Sequence, residues 1–346
     1  MRRWFEKTKL STDYNYVSSR IRLVRNLDEH VFPSKLDETE SKVLTEIMMK
    51  ELANIGEVEE RDCETSMISQ SSDIHRMALK ERRVLNSVIA AKKTATGLIL
   101  SKEEDISLVL NGDDHIRLQL LSEGMHLEDL WKRADKLDDY INERFRYAFD
   151  EQYGYLTSYP TNIGTGMRAN IVLHLPSLSL GKNFQNLLTG MSRFGVTIKG
   201  VYGEGRENYG ALYDISNPKT LGQSEKEIID QISRVAMQLN AQEANVRKLA
   251  LREHRLEKED EAYKSFGILK YARKLSLKDA LIYLSALLQG VSDGIIELKD
   301  PQAVYGLMFG VQPYNLLKLS ERPLGKNEME IARAGYIRQR LAEIAD

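Results

Sequence analysis

The chain has 346 residues with a formal net charge of -2, 42% hydrophobic and 29% charged, which suits about two globular domains with a sizeable core and gives no bulk attraction for nucleic acid or acidic membranes. Its one cysteine, Cys63, excludes an internal disulfide framework and fits a reducing compartment. The charged stretch from Met1 to Leu10 lacks the apolar centre of a signal peptide and no apolar run approaches the ~20 residues of a membrane span, so a cytoplasmic protein is expected.

In chain order, Ser18-Ser19-Arg20-Ile21-Arg22 comes first; if extended, it sets Arg20 and Arg22 on one face. Taken alone, the pair reads first as a solvated basic strand edge. The spacing predicts a helix over Glu38–Ile55, with Val43, Leu44, Ile47, Met48 and Leu52 on one side, and a second over Met77–Ala91. The period then changes. Gly97–Leu100, Ile106–Leu110 and His115–Leu120 predict three strands separated by turn residues, an antiparallel meander. A long helix is predicted over Leu127–Phe149, a strand over Arg168–Pro176 and a short helix over Phe184–Arg193. Strands over Val196–Tyr202 and Ala211–Ile215 follow, then a long helix from Ser224 to about Leu256. From Glu257 onward the pattern is helical, over Leu277–Leu288, Asp300–Phe309 and Lys326–Ile344, with Ser276 as an N-cap. The expected class is α+β: an antiparallel sheet flanked by helices, without regular βαβ alternation, followed by an all-helical C-terminal domain. The boundary is expected near residues 246–262, giving domains 1–250 and 251–346.

Three further stretches carry chemistry. Asn111-Gly112-Asp113-Asp114-His115-Ile116-Arg117 places carboxylates before an arginine. Thr161 to Asn170 runs through Gly164-Thr165-Gly166 into Arg168, and Lys199-Gly200-Val201-Tyr202-Gly203-Glu204-Gly205 holds one carboxylate among glycines. Glycine lets the backbone approach a ligand closely, although either glycine run alone is also an ordinary turn or solvent loop. Arginines drawn from distant segments point to a polyanion, because the guanidinium fork binds phosphate oxygens bidentately. Carboxylates beside them suit a cationic or proton-losing second substrate. Together these features read as phosphoryl transfer from a nucleotide. His115 lacks a partner at ligand spacing and reads as structural or nucleotide-stacking. Cys63 reads as a packing residue, and the charged run Arg252–Glu261 as a solvated helix face or connector.

These blocks, together with Tyr202-Gly203-Glu204-Gly205, Ile215-Ser216-Asn217 and Thr220-Leu221-Gly222, resemble in order and spacing the phosphagen (guanidino) kinase family, and within it the bacterial protein arginine kinases. The resemblance covers about residues 15–245, and the helical tail resembles the C-terminal domain of the same proteins. Kinases of free creatine or arginine carry a helical domain before the Ser-x-Arg-x-Arg motif; here the motif starts at Ser18 and the helices follow. The resemblance therefore implies ATP-dependent phosphorylation of arginine in proteins, with ATP and Mg²⁺ as cofactors and a role in bacterial stress response. It implies nucleotide contacts at Ser18, Ser19, Arg20, Ile21, Arg22, Arg83 and Arg117, along Arg168, Ala169, Asn170, Ile171 and Val172, and at Lys199, Gly200, Val201, Tyr202 and Gly203. It makes Glu204 the carboxylate that grips the acceptor guanidinium and Asp113 the second catalytic carboxylate, with no dedicated metal ligands. As partners it implies arginine-bearing protein substrates, an activating zinc-binding adaptor, the ClpC unfoldase with its protease, a heat-shock repressor and a second copy of the chain, with no nucleic acid and no membrane.

The chain departs from the family pattern in several places. Asp113 replaces a glutamate, one methylene shorter, and Gly112 before it is expected to let the loop move inward. Tyr159 replaces a cysteine beside the substrate, Lys199 an arginine of the phosphate cradle, and Arg83 a nucleotide-adjacent histidine. In the tail, Met329 stands where a phosphoarginine sensor has its first arginine, while Arg333 and Ala334 remain. Two other readings stay open: a weakened homologue that binds nucleotide or arginine-bearing partners as a regulator, and a kinase of a free guanidino metabolite.

Overall fold

A computed structural model describes residues 3–6, 15–203, 207–320 and 322–345. Contacts divide the chain into two compact units. The first comprises Met1–Trp4, Ser18–Asn170 and Ser216–Ser233; the second comprises Phe5–Val17, Ile171–Ile215 and Arg234–Asp346.

The first unit holds most of β1 (Tyr16–Arg25), α1 (Glu38–Glu51), β2 (Cys63–Met67), α2 (Asp73–Glu81), α3 (Ser87–Ala91), β3 (Gly97–Ser101), β4 (Ile106–Leu110), β5 (Ile116–Glu123) and α4 (Leu127–Asn142). A short hairpin, β6 (Phe149–Asp150) and β7 (Gly154–Tyr155), and the start of β8 (Met167–His174) complete it. The strands lie in the order β2-β3-β4-β5-β1-β8. The meander β3-β4-β5 forms with the antiparallel pairing expected, and β1 pairs antiparallel with β5. Alternation supplies the core. Ile21 and Leu23 on β1 and Leu118 and Leu120 on β5 are buried, each stabilising the fold by about 1.5–3 kcal/mol. Asp37 starts α1 with a capping box, its side chain accepting from Glu40 N at 2.8 Å while Glu40 accepts from Asp37 N at 3.2 Å.

The helix expected over Met77–Ala91 is two helices. Arg83 adopts a left-handed φ of 66° between α2 and α3, and Asn86 starts the second helix as its N-cap. Ile68, Leu79, Val84, Leu85, Ile89 and Val109 close over this break in one apolar cluster, which sets α2 and α3 against the sheet.

The second unit continues β8 and adds α5 (Phe184–Ser192), β9 (Thr197–Gly200), β10 (Leu212–Ser216) and most of α6 (Glu225–Glu253). Then come α7 (Arg255–Tyr271), α8 (Leu277–Ser292), α9 (Ala303–Gly310), α10 (Pro313–Ser320) and α11 (Lys326–Ala345). Ser276 caps α8, accepting from Asp279 N at 3.1 Å. Leu281, Leu284, Leu288, Met308 and Ile337 form a core that also takes in Val172 and Leu212. This shared core is why residues 171–215 group with the C-terminal helices. The charged run Arg252–Glu261 is helical on both sides of His254, with exposed pairs such as Arg255–Glu259 at 2.8 Å, a solvated face. Arg333 is buried and donates from Nε to Val311 O at 2.9 Å and from Nη1 to Leu275 O at 3.1 Å, so its guanidinium serves the fold. Among the described residues, no helix is long and apolar enough to cross a membrane.

Candidate active site

Strand pairing gathers the arginines. Arg20, Arg22 and Val24 of β1 lie opposite Leu121, Gln119 and Arg117 of β5, and residues opposite each other in an antiparallel pair share a face. β8 flanks β1 on its other edge and contributes Arg168 and Asn170, again two residues apart. Three adjacent strands thus bring Arg20, Arg22, Arg117 and Arg168 to one surface about 10 Å across. Arg22, Arg117 and Arg168 line a cleft of about 410 Å³ together with Asn86, Asp113, Asp114, Tyr159, Thr161 and Asn162.

Several of these cations are held by neutral groups. Arg20 Nε donates to Asn170 Oδ1 at 3.2 Å. Arg117 is buried and donates to Val84 O at 3.3 Å and Gln119 Oε1 at 3.2 Å, while its Nε has no hydrogen-bond partner. Arg168 Nε donates to Asn162 Oδ1 at 3.1 Å, and its Nη1 donates to Asn217 O. The Nε of Arg22 is buried without a hydrogen-bond partner. Burial and then the charges of Arg117, Arg20 and Arg168 hold Arg22 well below the ordinary guanidinium range, with Asp114 opposing. Burial and then Arg20 push Arg117 down to about 10 against the pull of Asp113. Burial also lowers Arg168. A guanidinium stays charged in proteins, and four of them meet on this surface. This is the donor chemistry of a polyphosphate site.

The carboxylates come from the β4–β5 turn, which is anchored throughout. Asn111 takes a φ of 56° and buries its amide, donating to Ser41 Oγ at 2.7 Å, Thr45 Oγ1 at 3.0 Å and Ala95 O at 3.0 Å. Lys92 Nζ donates to Asn111 O at 2.6 Å and Gly112 O at 2.8 Å. Ser158 Oγ donates to Asp113 O at 2.8 Å, and Asn86 Nδ2 to Asp113 Oδ2 at 2.8 Å. Asp114 Oδ1 accepts from Asn26 Nδ2 at 2.8 Å and Ser158 N at 2.6 Å, and burial raises its pKa. This corrects the expectation that Gly112 frees the loop to move inward. A Cβ on Gly112 would sit 3.2 Å from both Ile89 Cδ1 and Val109 Cγ1, so glycine here permits close packing of a braced turn. His115 is buried, accepts from Leu27 N at 3.2 Å through Nδ1, and is pushed down to about 4 by burial and then His30. It is a neutral anchor for this turn.

The other expected contacts fall as follows. Ser19 and Ile21 turn to the opposite face of β1. Ser19 Oγ donates to Gly124 O at 2.7 Å and accepts from His126 N at 2.9 Å, and Ile21 is core. Strand alternation puts Ala169 and Ile171 in the core likewise, and Val172 packs in the second unit's cluster. For Ser19, Ile21, Ala169 and Ile171, only the backbone is left to meet a ligand on the arginine face, and the Val172 side chain, on the same side of β8 as Arg168, is buried. Ser18 is buried. Arg83 is half-buried and its carbonyl accepts from Gln119 Nε2 at 2.8 Å. In the second unit, Lys199 and Gly200 are exposed at the end of β9, and Val201 and Tyr202 are half-buried. Gly203 has a φ of 123° and abuts Glu207 O, 2.3 Å from where a Cβ would lie, so no other residue fits there. Glu204 lies outside the described residues. The sequence reading passed over Asn86 and Lys92, and gave no role to Asn162 and Asn217, which it quoted within motifs. Asn217 lay within a recognised motif without a role: its Oδ1 accepts from Ala169 N at 3.0 Å and its Nδ2 donates to Met167 O at 2.9 Å, fixing the start of β8.

Residues 43–246 match the family described as ATP:guanido phosphotransferase, C-terminal catalytic domain, and residues 255–346 match the protein-arginine kinase McsB C-terminal domain. A protein-arginine kinase of Halothermothrix orenii is 38% identical over 325 residues, 94% of this chain and 92% of that protein. One from Caldanaerobacter subterraneus is 36% identical over 326 residues, 94% of this chain and 96% of its own length. The chain belongs to the protein-arginine kinase family. Guanidino kinases share its fold: lombricine kinase, at 20% identity, gives a TM-score of 0.58 over 73% of this chain and 72% of its own. The duplicated taurocyamine kinase of Schistosoma mansoni, at 23% identity, gives 0.58 over 69% of this chain, which spans about a third (35%) of that longer protein. The chain has an antiparallel sheet flanked by helices and a helical C-terminal region.

Proposed function

We propose that this protein-arginine kinase transfers the γ-phosphoryl group of ATP to the guanidinium of arginine side chains in proteins. The observation that carries the reading is the plane of Arg20, Arg22, Arg117 and Arg168 on three adjacent strands beside Asp113. In this reading the four guanidiniums bind the phosphate chain and neutralise the charge that develops as the bond between γ-phosphorus and its bridging oxygen breaks and ADP leaves. The acceptor is a poor nucleophile, protonated and delocalised at neutral pH. Asp113 takes the proton from the attacking nitrogen as the new phosphorus–nitrogen bond forms. Glu204, by resemblance, holds the guanidinium plane. Arg83, Lys199 and the backbone of Ser18–Arg22, Arg168–Val172 and Gly200–Gly203 complete the nucleotide contacts.

Among the described residues, no group of three or more His, Cys, Asp or Glu side chains could hold a metal ion. Magnesium enters in this reading as part of the nucleotide substrate, held by its phosphates and water. We assign residues 1–250 to catalysis and 251–346 to a helical C-terminal domain, and place the protein in the cytoplasm. An activating adaptor, the ClpC unfoldase and a second copy of the chain are the partners we propose, each open to co-purification. The deciding assay incubates the protein with labelled ATP and an arginine-rich protein. Label lost in acid and absent when lysine replaces the acceptor arginines supports the reading. No incorporation, or incorporation only into free guanidino compounds, overturns it.

A further inference from the structure

We propose that Asn86 is a positioning residue that aims the Asp113 carboxylate into the cleft. The proposal rests on the reading of Asp113 as proton acceptor. Its grounds are the bonds Asn86 makes on its two sides. Asn86 Oδ1 accepts from Ile89 N at 2.7 Å, capping α3, and Nδ2 donates to Asp113 Oδ2 at 2.8 Å. The cap fixes which way the amide points. Flipping it would set the NH₂ against the Ile89 N–H and the oxygen against a carboxylate, two repulsive contacts in place of two bonds. The helix that holds the cap is itself fixed, because Ile89 and Ala90 are buried against Leu98 and Val109.

The rest of the turn leaves Asn86 one thing to settle. Lys92 pins the carbonyls of Asn111 and Gly112, Ser158 pins that of Asp113, and Asn26 and Ser158 pin the Asp114 carboxylate. The backbone of Asp113 is thus held on both sides, and its side-chain torsions are what remain free. Asn86 engages one carboxylate oxygen and leaves the other for the acceptor. An aspartate has one fewer torsion than a glutamate, so this single bond goes further towards ordering it. The short acid and its amide partner form a compact unit lining the same cleft as Arg22, Arg117 and Arg168.

The cap and the donor can be separated by substitution. Asn86→Asp and Asn86→Ser both keep a good N-cap but remove the donor to Asp113. Steady-state kinetics with ATP and an arginine peptide, and melting curves, are measured on the full chain. We expect both variants to melt within about 2 °C of wild type. We expect kcat to fall about tenfold to a hundredfold, with KM for ATP and peptide changed less than about threefold. Asn86→Ala should lose the same rate and also melt lower. A merely structural Asn86 would make kcat follow the melting temperature. Wild-type kcat in either Asn86→Asp or Asn86→Ser therefore overturns the proposal. Asp113→Asn separates the two levels. If it abolishes turnover while the Asn86 variants are normal, the positioning proposal fails and the role of Asp113 stands. If Asp113→Asn keeps wild-type kcat, the role of Asp113 fails and the proposal with it. Asn86→Ser added to Asp113→Asn should cost nothing further, since the two act as one unit.

Discussion

Replacing Arg22 with methionine should make the nucleotide-free protein more stable and the enzyme much worse. Methionine keeps most of the apolar stem and removes the charge. In the fold that charge faces Arg117, Arg20 and Arg168, with Asp114 as the opposing partner, and its Nε has no hydrogen-bond partner. At an effective dielectric constant of 20, two unit charges about 7 Å apart repel by about 2.4 kcal/mol. Three like neighbours less one opposite leave about two such terms, and solvent in the open cleft reduces them to a net of about 1–2 kcal/mol. The sign follows from linkage. A base whose folded pKa is depressed destabilises the fold wherever it is charged in both states, as Arg22 is at neutral pH. The expected gain in melting temperature is about 2–6 °C, and it should shrink in 1 M salt. ADP should tell the opposite story. Losing a charge-assisted bond to phosphate costs about 1.5–3 kcal/mol, roughly a tenfold to hundredfold weaker nucleotide affinity. At an ADP concentration that stabilises wild type by about 2.7 kcal/mol, the variant should gain less than about 1.5 kcal/mol. Phosphoarginine formation should fall by about a hundredfold or more. Melting curves with and without ADP, with a labelled-ATP assay alongside, test all three. A variant less stable than wild type without nucleotide, or one with an unchanged ADP shift, refutes the account of the arginine plane.

Glu204→Gln, chosen from the family pattern, should lower turnover by at least about a hundredfold with ATP affinity little changed; near-normal turnover would remove Glu204 from the mechanism. Tyr159 is 46% exposed at the cleft, and Asp113 above all raises its pKa. If its ring stacks on the acceptor guanidinium, Tyr159→Leu should raise KM for an arginine peptide about threefold to tenfold while Tyr159→Phe stays near wild type, and equal KM values in all three would exclude the contact. Asp113→Glu should not raise the rate, because the braced turn leaves no room to withdraw the longer acid; a large gain from a low baseline would favour the weakened-homologue reading. His174 is buried beside Ser285 and pushed down to about 3, so the fold keeps it neutral while the unfolded chain protonates it near 6.5. Stability should therefore fall as pH drops from about 6.5 towards 3, by about 3–5 kcal/mol in all, and urea midpoints that stay flat from pH 7 to 4.5 would contradict this.

The fold was legible where one period dominates. The β3-β4-β5 meander combines alternating apolar residues with polar turns, and α8 and α11 follow from apolar spacing and, for α8, a serine cap. The sequence misled where a local device overrides the period. Met77–Ala91 carries continuous helical spacing, yet Arg83 turns left-handed and Asn86 restarts the chain. β2, Cys-Glu-Thr-Ser-Met, is an edge strand with an exposed middle and no alternation to read. At the site, the paired arginines of β1 were readable because strand geometry alone puts them on one face. The supporting residues were not. Lys92 and Asn86 reach Asp113 and its neighbours from about 20–27 positions away through carbonyls and one carboxylate oxygen, contacts that leave no mark on composition or spacing.

The same strands serve two opposed demands, and their alternation keeps them apart. Behind the arginines, Ile21, Leu23, Ala169 and Ile171 are fully buried, and the return on that burial exceeds the repulsion in front. In front, Asn162, Asn170, Gln119 and the carbonyl of Val84 hold guanidiniums with neutral oxygens, which orient the cations. A carboxylate at any of these positions would make a more stable protein and a poorer phosphate site, because the charge needed for the transferring group would already be neutralised. Asp113 escapes that conflict by its place in the β4–β5 turn. There it contributes one carboxylate at the rim while neutral groups and Lys92 hold the turn, so the arginine plane and the acid lie side by side without collapsing into an ion pair.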